Sequence, residues 1–277
     1  MNELQAPPSA ELGATDRFTL RLFRLLLPVV VLAAAVAGWA ILVRVNDIPP
    51  YVLPGPGAVW RTLISDWPIL WQSLLTTLST TLEGFCAAAI GGIALALVFN
   101  QSKWLEYSLF PYAVILQVTP VIAIAPLLLI YLPQQTAVIA CAWIVGFFPV
   151  LSNTTLGLNS VDRNLAGLFR LYGASRLQTL RYLKLPAALP YILGGLRIAG
   201  GLSLIGAVVA EIAAGSAGAG SGLAYRIAES GYRLNIPRMF AALLLLSAAG
   251  IVIYGLLALT SHLALRRLHE SALGGEN

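Results

Sequence analysis

The chain has little charge. Asp, Glu, Lys and Arg make up 10% of its 277 residues and apolar residues 58%, against roughly 25% charged in a soluble globular domain. A soluble fold of this composition would expose large apolar patches and aggregate, so the expected solvent is the bilayer. Lysine occurs only as Lys103 and Lys184, which follow Gln-Ser and Tyr-Leu. A phosphate-cradling Gly-x-x-x-x-Gly-Lys-Ser/Thr loop is therefore missing, and the chain has no ATP site of its own. The two cysteines, Cys86 and Cys141, lie in apolar runs without metal-ligand spacing, and the two histidines, His262 and His269, lie near the C-terminus. Neither a disulfide nor a metal site is expected, and no catalytic residues are assigned. The net charge of +5 does not point to nucleic acid, because the basic residues fall in loops between apolar runs without aromatic interleaving.

What is present is a series of long apolar runs. A spanning helix needs about 20 of them in a row. The first run, Leu25 to Val43, is uncharged between Arg24 and Arg44. It exceeds the roughly 7–15-residue core of a secretory signal, so a retained helix is expected. The second spans about Leu74 to Phe99, interrupted only by Glu83. No charge occurs between Tyr107 and Val161, and Leu132-Pro133-Gln134-Gln135 supplies a turn in the middle. That predicts a third helix at about 107–131 and a fourth at about 136–155. The fifth is expected at about 188–212 and the sixth at about 239–264. The fold class is thus all-α, a membrane bundle of about six spans. A short helix around Ala58–Ile64 is expected on the interface of the opposite side.

Orientation follows from the basic residues. One side holds Arg17, Arg21, Arg24, Lys103, Arg163, Arg170, Arg176, Arg181, Lys184, Arg266 and Arg267; the other holds Arg44, Arg61, Arg226, Arg233 and Arg238. Eleven against five places both termini in the cytoplasm, with Arg197 left out because it falls inside the fifth span. Residues 1–16, polar and Pro-containing, are expected to be a disordered tail, 17–268 a single transmembrane domain, and 269–277 a C-terminal tail.

The loop of about 162–187 is built differently from its surroundings. Leu165, Leu168, Phe169 and Tyr172 share one helical face, and Gly173 follows where a helix most easily ends left-handed. Ser175-Arg176-Leu177-Gln178 matches a capping box that starts a second short helix. Pro186 is expected to end it by disfavouring helical geometry at Leu185. The product is a compact knob with apolar teeth and basic flanks, Arg170, Arg176, Arg181 and Lys184.

The spacing Gly173, nine residues, Leu183, one residue, Leu185-Pro186 resembles the cytoplasmic loop of permease subunits of bacterial ABC importers. There Glu-Ala-Ala, three residues and Gly precede Ile-x-Leu-Pro. The run Leu185-Pro-Ala-Ala-Leu-Pro-Tyr-Ile-Leu-Gly-Gly-Leu-Arg-Ile-Ala199, continued by Ile205-Gly-Ala-Val-Val-Ala-Glu211, and the earlier Tyr51-Val-Leu-Pro-Gly-Pro are similar to the nitrate/sulfonate/taurine branch. The resemblance implies a bacterial inner-membrane permease, paired with a second copy as a homodimer. It implies two cytoplasmic ABC ATPase subunits that carry ATP and Mg and grip this loop through Leu165, Leu168, Phe169, Arg170, Tyr172, Gly173, Ala174, Ser175, Arg176, Leu183, Leu185 and Pro186. A periplasmic or lipid-anchored solute-binding protein would deliver a sulfonate-, taurine- or nitrate-like anion or a pyrimidine-type precursor. This chain departs from the motif at Gly167, Leu168 and Phe169, which replace Glu-Ala-Ala and remove the acidic contact.

Candidates for the solute pathway lie near prolines at membrane depth, Pro111, Pro120, Pro126 and Pro149, since broken backbone is tolerated where it lines a cavity. Gln117, Thr119 and Asn153 either contact solute or hydrogen-bond between helices. Gly194, Gly195, Gly200, Gly201 and Gly206 allow close helix approach. Glu83, Arg197 and Glu211 are ionisable residues in or at the ends of spans. Glu211 is expected at an external gate or reaching water. The competing class is an ion-gradient-driven secondary transporter or channel, which calls for an intramembrane ion site and paired repeats; neither is apparent.

Overall fold

The computed structural model describes residues 14–215 and 220–273, with side chains given for 26–215 and 220–266. Most of the tail named as 1–16 lies outside the described residues, as do residues 274–277 and the side chains of Arg17, Arg21, Arg24, Arg267 and His269. The described residues form helices and no strands.

Helix α1 (Ala14–Val45) begins within the segment expected to be a tail. It is largely exposed, lies against α2 and stacks Trp39 on Phe240, with ring centroids 5.8 Å apart. The Gly55-Pro56 pair opens α2 (Pro56–Ser65), where proline's missing N–H costs nothing. Instead of only lying on an interface, α2 inserts Val59 into a cluster with Leu70, Leu223, Ala241 and Ala242. Helix α3 (Trp67–Gln101) follows directly.

The third span departs from expectation. It is two helices, α4 (Lys103–Val118) and α5 (Val121–Tyr131), bent by 97° between them. Pro120 is the reason. It donates no N–H and pushes Thr119 out of the helical region, to φ −72°, ψ 122°. The Thr119 hydroxyl caps the broken end by donating to the Ile115 carbonyl at 2.7 Å. Pro111, Pro126 and Pro149 lie inside helices instead. The expected turn at Leu132-Pro133 is present, and α6 (Gln134–Asn159) starts behind it.

A second correction concerns Pro186. Helices α7 (Arg163–Leu171) and α8 (Arg176–Thr179) form the loop, but α8 runs through a π turn (Leu180–Lys184) into α9 (Leu185–Ala214) without a stop. Leu185 is helical, and its N–H donates to Leu180 O, five residues back. A proline in an α-helix clashes with the carbonyl four residues earlier; the wider π turn moves that carbonyl aside. The loop's last turn is therefore continuous with the fifth span. Helices α10 (Leu223–Tyr232) and α11 (Ile236–Leu273) complete the chain, α11 running on into the segment expected as a C-terminal tail.

Five of these helices are long and apolar enough to cross a membrane, and counting the bent α4–α5 pair as one broken span makes six. The centre is α6, packed mainly against α9 and α3. Two glycines make this possible: a Cβ on Gly206 would meet the Cys141 carbonyl, and one on Gly195 the Pro149 carbonyl. Gly200 faces Leu257 of α11, whereas Gly194 and Gly201 have open space beside them.

Candidate functional sites at the two ends of the bundle

At one end lies the loop. Asp162 caps α7, its Oδ1 accepting from the Asn164 N–H at 2.6 Å. α7 ends at Gly173, whose φ of +71° is the left-handed conformation that side chains resist. The Ala174 N–H donates to Phe169 O at 2.9 Å across this turn. Ser175 and Gln178 then close the expected capping box in both directions, at 3.2 and 2.7 Å. These are all contacts between near neighbours, which is why the sequence displayed them.

No residue of α7 is buried. Leu165 and Leu168 are about half exposed, and Phe169 is half-buried. Tyr172 is 83% exposed. Leu171 (86%) and Leu177 (71%), which periodicity did not single out, are more exposed than Leu165 and Leu168. A groove of about 520 Å³ runs along α7, lined by Arg163, Asn164, Gly167, Leu168, Arg170 and Leu171. Arg170 and Arg176 point into solvent, Ala174 is half-buried, and Ser175 is exposed. Leu183 and Leu185 are half-buried, with Leu185 packed on the core; Pro186 is exposed. Those last residues root the knob more than they form its surface. Lys184 adds a root of its own by donating to Asn100 Oδ1 at 2.8 Å, at the end of α3. Nothing local in the sequence marks Asn100.

In the middle, the α4–α5 break opens a cavity of about 270 Å³ lined by Gln117, Thr119, Pro120, Ile144, Pro149 and Leu202 among others, with no charged residue. It brings Gln117 and Thr119 together. Thr119 is occupied with Ile115, whereas Gln117 is exposed and makes no hydrogen bond. Asn153 does not reach the cavity; its amide donates to the Pro149 carbonyl of its own helix at 2.8 Å. Glu83 is exposed on α3, without an ion pair among the described residues.

At the opposite end, Glu211 does not reach water. It is 3% exposed. Its Oε2 accepts from the Thr77 hydroxyl at 3.0 Å and from the Ala224 N–H at 3.1 Å, while Thr77 Oγ1 accepts the Leu223 N–H at 2.9 Å. These N–H groups are among the donors that the first turn of α10 cannot satisfy within itself. A carboxylate from α9 and a hydroxyl from α3 thus cap α10, where negative charge also complements the helix dipole. Gly222 makes room, because a Cβ there would overlap the Glu211 carboxylate. Around this cap Arg226 donates to Ser73 at 3.1 Å and pairs with Glu229 at 2.9 Å, and Arg238 of α11 pairs with Asp66. Sequence reasoning missed Thr77, though the Ser/Thr-rich stretch 73–81 inside an apolar run was a usable signal. Among the described residues no group of His, Cys, Asp or Glu could hold a metal ion.

Residues 88–266 match a family model described as "Binding-protein-dependent transport system inner membrane component". The chain is 35% identical over 233 residues to the "Riboflavin transport system permease protein RibX" of Chloroflexus aurantiacus, covering 82% of this chain and 85% of that one. It is 34% identical over 205 residues to the "Formylaminopyrimidine transport permease protein ThiX" of Halalkalibacterium halodurans, covering 73% and 80%. A solved structure, "Crystal structure of an amino acid ABC transporter with histidines", shares the fold with a TM-score of 0.59 at 21% identity, covering 73% of this chain and 96% of the other.

Proposed function

The chain belongs to the inner membrane component family of binding-protein-dependent transport systems, the permease subunits of ABC importers for small solutes, and on that premise we propose that its loop 163–186 is the surface gripped by a separate ATPase. The observation that carries this reading is that Leu168, Leu171, Tyr172 and Leu177 are exposed on two short helices with no membrane-length apolar run of their own. Apolar side chains grouped on a water-facing knob fit a partner's socket. The left-handed Gly173 turn holds the two helices in one fixed relation. Without a phosphate-binding loop, this chain draws its energy from ATP and Mg bound by that partner.

Two such ATPases, a second copy of this chain and an external solute-binding protein complete the assembly. The acid missing at 167–169 leaves the contact to apolar side chains and to Arg170 and Arg176. Leu168→Asp puts an unpaired charge against the socket. The variant is expected to insert at normal abundance, lose at least ~10-fold in ATPase co-purification (about 1.4 kcal/mol) and take up no solute. Normal co-purification with full uptake would remove the loop from this role.

The basic residues orient the loop and both termini toward the cytoplasm. In a background with Cys86 and Cys141 replaced by Ser, cysteines at Gln134 and Ser175 should react with impermeant reagents from opposite sides. Labelling from one side would overturn the span assignment.

The solute is a nitrogen heterocycle of the pyrimidine type in preference to an inorganic anion. The cavity at the α4–α5 break offers the free Gln117 amide and no cation, and the RibX and ThiX names fit that chemistry. Uptake of a labelled pyrimidine that unlabelled nitrate does not inhibit supports the assignment; inhibition by nitrate alone reverses it.

A further inference from the structure

A second cleft, away from the broken helix, lies between α9 and α11. It is about 370 Å³, lined by Arg197, Ser261, His262, Leu265 and Arg266. Two guanidinium groups, an imidazole and a hydroxyl converge there from positions more than sixty residues apart in the chain, and no acidic side chain lines the cleft. Arg197 is the telling residue. Its Nε is buried without a hydrogen-bond partner, and its guanidinium lies 5.9 Å from the centre of the Tyr254 ring. No described carboxylate pairs with it. A ring face offsets only part of the cost of holding a guanidinium within a span, so an anion is the missing partner.

Depth identifies the anion. From Arg197 to Ala214 the helix rises about 1.5 Å per residue, roughly 25 Å in all, close to the ~30 Å hydrocarbon core of a bilayer. With the Ala214 end near one face of the membrane, Arg197 lies about 5 Å inside the hydrocarbon on the other, the face toward loop 163–186, within reach of its headgroups. Beside the basic residues, Ile198, Tyr254 and Leu263 are exposed apolar side chains, a surface for acyl chains. Basic pockets between spanning helices on this side are suited to acidic headgroups.

We propose that the α9–α11 cleft binds the phosphate headgroup of an anionic phospholipid from the leaflet on the side of loop 163–186. The lipid supplies the counter-charge to Arg197 and ties the two helices at that depth. The proposal is independent of which solute the permease carries.

The test is native mass spectrometry of the full chain in detergent. It is titrated with phosphatidylglycerol, with phosphatidylethanolamine, and with sn-glycerol 3-phosphate as the chain-free headgroup. The wild type is expected to prefer phosphatidylglycerol over phosphatidylethanolamine. Arg197→Gln should weaken phosphatidylglycerol binding about 5-fold, in line with about 1 kcal/mol per basic group near an anionic headgroup, and Arg197→Lys should retain most of it. Should Arg197→Gln fail to fold, His262→Ala, at an exposed position, is expected to lower the preference as well. Equal binding of both lipids, or a preference unchanged in these variants, overturns the proposal. So does sn-glycerol 3-phosphate binding as tightly as the lipid, which would make this a site for free phosphate.

Discussion

At the Glu211 end, one carboxylate oxygen, a hydroxyl and the first two N–H groups of α10 hydrogen-bond one another inside the protein, through partners brought from α9, α3 and α10. The second carboxylate oxygen, Oε1, is buried without a partner. At the loop end, Leu171, Tyr172 and Leu177 are exposed, and the hydrogen bonds within the loop join near neighbours only. One end has polar groups buried and bonded across three helices; the other has apolar side chains left unburied. Buried donors and acceptors that lose their partners are costly, so the bonds shared by Glu211 Oε2, Thr77 and α10 hold three helices together within one chain. Exposed leucines gain nothing until another surface covers them. The two ends of the bundle thus differ in what they bury and what they expose.

The largest effect that would break this contrast comes from Glu211→Ala. It leaves the Ala224 N–H and the Thr77 hydroxyl without their shared acceptor, and a buried unsatisfied group costs about 1–3 kcal/mol each. The purified chain should melt several degrees lower, and limited proteolysis should cut within 215–235. Glu211→Gln, whose amide oxygen still accepts, should lie between the variant and wild type. A melting temperature unchanged in Glu211→Ala would mean that the cap does not hold α10.

Gly173→Val comes next. A branched side chain at φ +71° is strained by about 1–2 kcal/mol, less than the loss at Glu211. Abundance and melting should change little, while ATPase co-purification and uptake fall, because the strain tilts α7 against α8. The pair of variants separates the ends: stability should respond at Glu211 and coupling at Gly173. Gly173→Val lowering stability as much as Glu211→Ala would erase the distinction.

Asn100→Ala is expected to have the smallest effect. It removes the acceptor that Lys184 uses, worth roughly 1 kcal/mol, and leaves a lysine that reaches water. Uptake should fall by no more than a few-fold with ATPase binding retained. Complete loss of binding would show that the root, and not the knob, forms the docking surface.

Much of the loop was legible in the sequence. The glycine turn and the Ser175–Gln178 box depend on residues within a few positions of one another. The long apolar runs at α1, α3, α6, α9 and α11 are a matter of composition alone. Pro186 misled because its usual effect, ending a helix, was absorbed by a π turn whose presence depends on how the loop is seated on the core. The third span misled because a proline within an apolar run can lie inside a helix, as at Pro111, or break it, as at Pro120. Both sites obey the same local rule.

By itself the sequence determined that the chain is a helical membrane protein, where its loop turns, and which side chains stand on that loop. Those properties follow from apolar run length and from dihedral preferences that act over a few residues. Only the tertiary structure decided that Glu211 would be a buried cap, since its Thr77 partner lies 134 positions away. It also decided that Arg197 would face another basic cluster across a cleft. A carboxylate or guanidinium in a span must find a counterpart wherever the packing brings one, and packing is a property of all the helices together.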